Sequence, residues 1–312
     1  MKTSYRSNSL AVGHSFFVSN CIFKFDSKNL MDQSFTKLNM SKAKEVIVRQ
    51  VWAYNLEYEF SLIRQAIHQH PMVSMDTEFP GVIHSPEINR HYLQPFDNYR
   101  YLKANVDALK VIQVGLTLSD FKGNLPDFGS IYGYIWEFNF CDFDVNHDPC
   151  NQDSIDMLRR QGIDFNRNFY YGVNSMRFAD LMLSSGLIFN KSLMWVTFSS
   201  AYDFGYLVKI LTRKNLPNHL EEFLNIVEVL FGKKVFDMKH MMKFCDFLHG
   251  GLERVATTLK VGRAVGKSHQ AGSDSLLTNQ AFRKMIETCF IINKVPELKD
   301  YAGVLFGLEI IV

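Results

Sequence analysis

Asp76 and Glu78 stand one residue apart in VSMDTEFPGV, at the end of an apolar run. In a strand, residues i and i+2 share a face, so this spacing turns two carboxylates the same way. Alone, such a pair is better read as a polar strand end reaching water. Asp203, in FSSAYDFGYL, opens a helix after the apolar strand LMWVTF, where free N–H groups and the helix dipole favour an acid for purely structural reasons. Asp237, in VFDMKHMM, has the same placement and is read as a helix N-cap. His269 and Asp274, in HQAGSDSLL, are separated by a stretch containing Gly272 and lead into the last helical region. Carboxylates gathered in one cleft repel: a like-charge pair about 4 Å apart costs about 4 kcal/mol at an effective dielectric of about 20. Divalent cations would convert that repulsion into coordination. Hard oxygen ligands without a Cys or His set favour Mg²⁺ or Mn²⁺ over Zn²⁺.

The elements that must carry these residues are legible from pattern. VIVRQVWAYNLEYEFSLIRQAIHQH places Val51, Leu56, Phe60, Ile63 and Ile67 at helical spacing, so this segment is expected to be a helix ending at Pro71. MVSMDTEF, VIQVGLTL and IYGYIWEFNF read as strands, the last two as a hairpin across FKGNLPDFGS. DSIDMLRRQGIDF and RFADLMLSSGLI read as helices, then LMWVTFSS and KKVFD as strands that each feed a helix. LERVATTLKV and DSLLTNQAFRKMIETCFII close the chain as helices. The order predicts an α/β class, a mixed central sheet surrounded by helices.

The 312 residues are 47% hydrophobic and carry a formal charge of +2. One domain over 44–312 is the simplest organisation, and charge alone argues for neither a nucleic-acid nor a membrane partner. No apolar run approaches the roughly 18–20 residues of a membrane helix. Five cysteines without a CxxC pair fit a reducing compartment. Residues 1–43 read as a disordered extension, with Met31 and Met40 as alternative starts. The Ser- and Asn-rich, acid-poor composition of residues 1–40 is only faintly that of a transit peptide, and no organelle targeting is expected from it.

Taken together, the Asp-x-Glu strand end, the helix-opening Asp and the His-x4-Asp segment resemble the DEDD exonuclease superfamily in its His-containing subgroup. Longer segments narrow this: SMDTEFPGV, LKANVDALKVIQVGLTLSD, WEFNF, WVTF, YDFGYL, LHGGL and HQAGSDSLLT are similar to the messenger-RNA deadenylase family of CCR-four-associated factor one, or Pop-two. The similarity runs from about Val46 to about Leu308 and is nearest to plant members. It implies an RNase H-like fold and a poly(A)-specific 3′-to-5′ exoribonuclease that releases 5′-AMP. The implied partners are poly(A) RNA and, in the CCR4–NOT complex, a Not-type scaffold and a second deadenylase subunit, in cytoplasm and nucleus. The implied cofactors are two divalent cations, Mg²⁺ or Mn²⁺, about 3.5–4 Å apart. Asp76 would bridge both, Glu78 and Asp274 would hold the ion on the side of the attacking water, and Asp203 would help hold the ion near the leaving 3′ oxygen. His269 would act as general base. Phe79 would stack on the terminal base or pack in the core.

The chain departs from the family pattern at four places, one of them the segment IHSPEINRHY after EFPGV. Ser199 stands where the family has His, Ala201 where it has Gly, and Gly262 where it usually carries an acid. Because glycine permits close approach and positive φ, Ala201 is expected to shift Asp203. Two other readings stay open: an adaptor subunit with a vestigial site, and a different 3′ exonuclease of the superfamily.

Overall fold

The computed structural model describes residues 44–87, 93–291 and 298–309, so the extension expected over 1–43 lies outside the described residues. Lys44–Val312 forms one compact unit. Six strands make a single sheet in the order β1-β4-β3-β2-β5-β6. They are β1 (Glu45–Val51), β2 (Met72–Glu78), β3 (Gln113–Ser119), β4 (Tyr132–Asn139), β5 (Met194–Thr197) and β6 (Val235–Asp237). The β2–β3 and β3–β4 pairs are antiparallel; β1–β4, β2–β5 and β5–β6 are parallel. The expected mixed sheet and its hairpin are both present. Among the described residues no helix is long and apolar enough to cross a membrane.

One expected element is different. The helix read across VIVRQVWAYNLEYEF begins only at Leu56, as α1 (Leu56–Ala66), and Glu45–Val51, four residues before it, is β1. The β-branched run Val46–Ile47–Val48 loses side-chain freedom in a helix and fits a pleated edge. Parallel pairing with Tyr132–Phe138 of β4 then supplies its backbone partners. Besides the short α4 (Phe165–Tyr171), two longer helices were not expected. These are α2 (Pro95–Ala108), which has proline in its first turn, and α7 (Leu220–Phe231), whose buried Leu220, Phe223, Val227 and Leu230 form one stripe.

The two faces of the sheet differ in chemistry, and this difference positions the site. On one face Val73 and Met75 of β2, Val114, Leu116 and Leu118 of β3 and Trp136 and Phe138 of β4 enter a large apolar core. That core is closed by α1, α2, α5 (Ser175–Ser184), α6 (Ala201–Thr212) and α7. On the other face the alternate residues are polar or small, and α10 (Ala271–Met285) lies across them. Asn279 on α10 donates to Ser74 Oγ at 2.9 Å and to Ser119 Oγ at 3.1 Å, and Ser275 bonds Thr117 at 2.8 Å. These bonds fix the register of α10 along β2 and β3. Toward its C-terminal end, α10 settles on Met72, Val196 and Phe236 in a second apolar cluster.

Candidate active site

β2 runs into the cleft with alternating faces. Ser74, Asp76 and Glu78 lie on the α10 side, and Val73, Met75 and Thr77 on the other. β5 pairs only with Met72–Ser74, so the last residues of β2 have a free edge on that side. Phe79–Pro80–Gly81 then turns the chain away. Gly81 has φ +77°, and a Cβ there would meet Ser154 Oγ at 2.3 Å. Only glycine lets this exit dock on the start of α3 (Gln152–Gln161), where Asn151 N–H donates to Pro80 O at 2.8 Å.

Asp203 comes from the first turn of α6, on the apolar side of the sheet, and Thr77 meets it there. The Thr77 hydroxyl donates to Asp203 Oδ1 at 2.5 Å. The turn that opens α6 is built on a second buried acid. Asp237 accepts from Ser199 N–H at 2.8 Å and Ser200 N–H at 3.1 Å, and from the Ser200 hydroxyl at 3.2 Å. It also accepts from Lys239 N–H at 2.9 Å, the N-cap bond read from the sequence, and from Phe306 N–H at 3.0 Å. The expectation that Ala201 shifts Asp203 is corrected. Ala201 is the first helical residue of α6, and the left-handed position is Ser199, with φ 60°. The strain therefore sits at Ser199, held by the Asp237 carboxylate, and Ala201 suits its helical place.

Asp274 lies in the first turn of α10, and glycine places it. Gly115 of β3 pairs in register with Asp76, and a Cβ on it would fall 1.9 Å from Ala271 O. Its bare backbone lets the start of α10 rest directly on the sheet beside Asp76. Gly272 N–H donates to the buried Glu137 carboxylate at 2.9 Å, so a β4 acid anchors the same helix end. Both Asp274 oxygens are engaged. Oδ1 pairs with Arg263 Nη2 at 2.5 Å, and Oδ2 accepts from His269 N–H at 2.7 Å. His269 takes φ 59°, which folds the segment back on Asp274. Its imidazole is exposed at the rim, and one ligating atom each of Glu78, His269 and Asp274 lie within 4.8 Å of one another.

The electrostatics follow from this crowding. Burial, then the charges of Asp203, Asp274 and Glu78, pushes Asp76 well above the usual carboxylate range, with Arg263 opposing. Glu78 is raised as strongly, by burial and then by Asp274, Asp203 and Glu137. Burial lifts Asp203 from 3.8 to about 7 despite its bond from Thr77. Asp274 is raised by burial, with Arg263 pulling it back. Among the described residues one cation, Arg263, is paired with this set, and it is shared with Glu253. The group is short of positive charge and rich in hard oxygen donors, and divalent cations fit that deficit.

All five residues read from the sequence thus meet at one end of the sheet. Phe79 packs on α6, the helix that carries Asp203: its ring stacks on Tyr202 at 5.2 Å and lies 5.1 Å from Tyr206. It is half-buried, so packing and an open face coexist. The sequence did not disclose Thr77, Glu137, Arg263 or the hub role of Asp237. Their partners lie between 11 and 135 residues away, beyond local pattern.

Fold and site together define a class: an RNase H-like mixed sheet with the acidic cleft of the DEDD exonucleases. Residues 51–181 match the CAF1 family ribonuclease model. The Arabidopsis thaliana protein "Probable CCR4-associated factor 1 homolog 7" is 48% identical over 274 residues, covering 86% of this chain and 96% of that protein. "Poly(A) ribonuclease pop2" of Schizosaccharomyces pombe is 42% identical over 237 residues, covering 75% and 68%. Among solved structures, S. pombe Pop2p in its Mg²⁺- and Mn²⁺-bound form superposes with a TM-score of 0.75 at 39% identity, covering 84% of this chain and 99% of that one. The CAF1 chain co-crystallised with the yeast NOT1 MIF4G domain gives 0.67 at 32%, covering 83% and 96%. The chain belongs to the CAF1 ribonuclease family.

Proposed function

We propose that this chain is a divalent-cation-dependent 3′-to-5′ exoribonuclease that shortens poly(A) tails, releasing 5′-AMP, as the nuclease subunit of a complex built on a Not-type scaffold. The observation that carries this is the convergence of Asp76, Glu78, Asp203 and Asp274, their pKa values raised by burial and mutual repulsion, with His269 at the rim. The similarity to Pop2p bound to Mg²⁺ and Mn²⁺ supports the cofactor. The similarity to CAF1 crystallised with NOT1 supports the scaffold, and the identity to a poly(A) ribonuclease supports the substrate.

Asp76, Glu78, Asp203 and Asp274 would hold the ions, with Asp76 central because its neighbours all act on it. Bound there, two divalent cations would neutralise the charge that develops on the attacking and leaving oxygens of an in-line displacement. The protein supplies the rest. His269 would take the proton of the attacking water, a role supported by its nearness to Glu78 and Asp274 and by its backbone bond to Asp274. Thr77 orients Asp203, and Arg263 orients Asp274.

The test is shortening of a 3′-A-tailed RNA with Mg²⁺. Stepwise loss of the tail that stops at the non-A body is expected, slowed at least about 10²-fold by Asp76→Ala. No shortening by a chain that still binds a Not-type scaffold would overturn the reading. Equal removal of a mixed-sequence tail would assign a broader 3′ exonuclease instead.

A further inference from the structure

At the end of the sheet where the Asp203 turn emerges, Lys239 is a cation that no carboxylate neutralises among the described residues. Lys239 Nζ lies 5.7 Å from the centre of the Phe198 ring and 5.8 Å from that of Phe306. It donates to Gly250 O, which leaves two of its three N–H groups without a protein acceptor among the described residues. Phe198, Lys239 and Phe306 are each half-buried, so all three present a surface to solvent. Lys243, over the same Phe306 ring at 5.1 Å, is instead paired with Glu309.

Two bonded routes tie Lys239 to the catalytic carboxylates. Asp237 Oδ1 accepts from both Ser199 N–H and Lys239 N–H, so Lys239 stands beside the turn that launches Asp203. Phe198 is the residue before that turn, and Phe306 N–H binds the other oxygen of Asp237. On the second route, Gly250 precedes α9 (Leu252–Thr258), whose Glu253 holds the Arg263 that pairs with Asp274. Lys239 is therefore linked by these bonds to the segments that carry Asp203 and Asp274.

A strand entering an acidic cleft needs its phosphates offset by fixed cations outside the ion site itself. Arg263 is committed to two carboxylates, whereas Lys239 is flanked by aromatic faces on which bases stack regardless of sequence. We propose that Phe198, Lys239 and Phe306 form a subsite for a nucleotide of single-stranded RNA upstream of the scissile bond. Lys239 Nζ takes its phosphate, and the solvent-facing part of the Phe198 ring meets its base. This rests on the nuclease reading above.

The competing role for Lys239 is a simple latch on Gly250, and the test separates the two. Binding of the full chain to a fluorescein-labelled ten-residue oligoadenylate, with Ca²⁺ replacing Mg²⁺, is followed by anisotropy from about 50 to 200 mM KCl. Lys239→Gln is expected to reduce the steepness of log K against log[KCl] by about 0.7, while Lys239→Arg retains it. Phe198→Ala is expected to weaken binding about tenfold with little change of slope. In Mg²⁺, Lys239→Gln is expected to slow trimming of the ten-residue RNA more than cleavage of a diadenylate. A wild-type slope in Lys239→Gln at an unchanged thermal midpoint overturns the subsite. So does a lowered midpoint with equal loss on both substrates, which marks a latch only. Failure of the wild type to bind or trim the oligoadenylate overturns the nuclease reading, and the subsite with it.

Discussion

Asp203 shows how titration of the cleft acids is linked to stability. The folded chain holds its proton up to about pH 7, whereas the unfolded chain loses it near 3.8. Between those values the folded state binds more protons than the unfolded one, so stability must fall as pH rises through that window. Asp76, Glu78 and Asp274 are raised as well and act in the same direction. In EDTA, the thermal midpoint is therefore expected to decline from about pH 5 to pH 8 through these groups. Mn²⁺ should reverse the trend, because coordination needs deprotonated oxygens, so the rise in midpoint on adding Mn²⁺ should grow over the same range. Asp76→Asn should raise the midpoint in EDTA by removing a repelling buried acid, and should blunt the response to Mn²⁺. Differential scanning fluorimetry across pH reads all three outcomes. The departures from family pattern belong to this scale too. Ser199 holds φ 60° without being glycine, while Ala201 is helical. Ser199→Gly is expected to be neutral or stabilising by up to about 1 kcal/mol. Ala201→Gly is expected to cost about 0.5–1 kcal/mol with no gain in rate. A higher rate in Ala201→Gly would show that the alanine does disturb Asp203.

At the scale of elements, the cleft depends on how closely α10 approaches the sheet. Gly115 is the contact: a methyl group there would sit 1.9 Å from Ala271 O and 2.5 Å from Gly272 N, both backbone atoms that cannot swing aside. Gly115→Ala is expected to push out the start of α10, destabilising the chain by about 1–3 kcal/mol. Because Asp274 moves with that helix end, activity should fall on the order of 10²-fold, more than the stability loss explains. Urea denaturation beside single-turnover trimming distinguishes the two; a stable variant with full activity would refute this account of the glycine. The same element shows what sequence could disclose. The even–odd split of VSMDTE placed Asp76 and Glu78 on one face, and the resemblance supplied Asp203, His269 and Asp274. It could not show that Ser74, Thr117 and Ser119 form a polar track for α10, since each is an ordinary strand residue until Ser275 and Asn279 arrive, 158 to 205 residues later. β1 was misread because Val51, the last residue of an edge strand, happens to continue the apolar spacing of α1. Asp237 was legible as a cap, for which the partner is two residues away, and not as a hub, for which the partners are 37 to 69 residues away.

At the scale of the molecule, the acidic cleft is completed by the far end of the chain. Gly303 N–H donates to Val235 O at 2.7 Å, Val304 bridges Phe236, and Phe306 N–H reaches Asp237 at 3.0 Å. Leu305 and Leu308 are buried in the same core as α6 and α7. Burial opposes the charge on Glu309, but its bonds from His240 and Lys243 prevail and draw its pKa down to about 2. That contribution is present above the ordinary carboxylate value of 4.5 and is lost as pH falls toward 2. Removing residues 303–312 would delete two buried leucines, worth roughly 3–6 kcal/mol at about 1.5–3 kcal/mol each. It would also take a donor from a buried carboxylate that orders Ser199 and Ser200. Against a typical stability of about 5–15 kcal/mol, the truncated chain should unfold at a much lower denaturant concentration. Phe306→Pro makes the finer test, because it removes the N–H that meets Asp237 while keeping the leucines. It is expected to cost about 1–3 kcal/mol and to weaken Mn²⁺ binding, measured by titration calorimetry, through the turn that positions Asp203. Wild-type Mn²⁺ affinity in a destabilised Phe306→Pro chain would confine the C-terminal segment to holding the fold, and would leave the Asp203 turn to be ordered by Asp237 and its nearer donors alone.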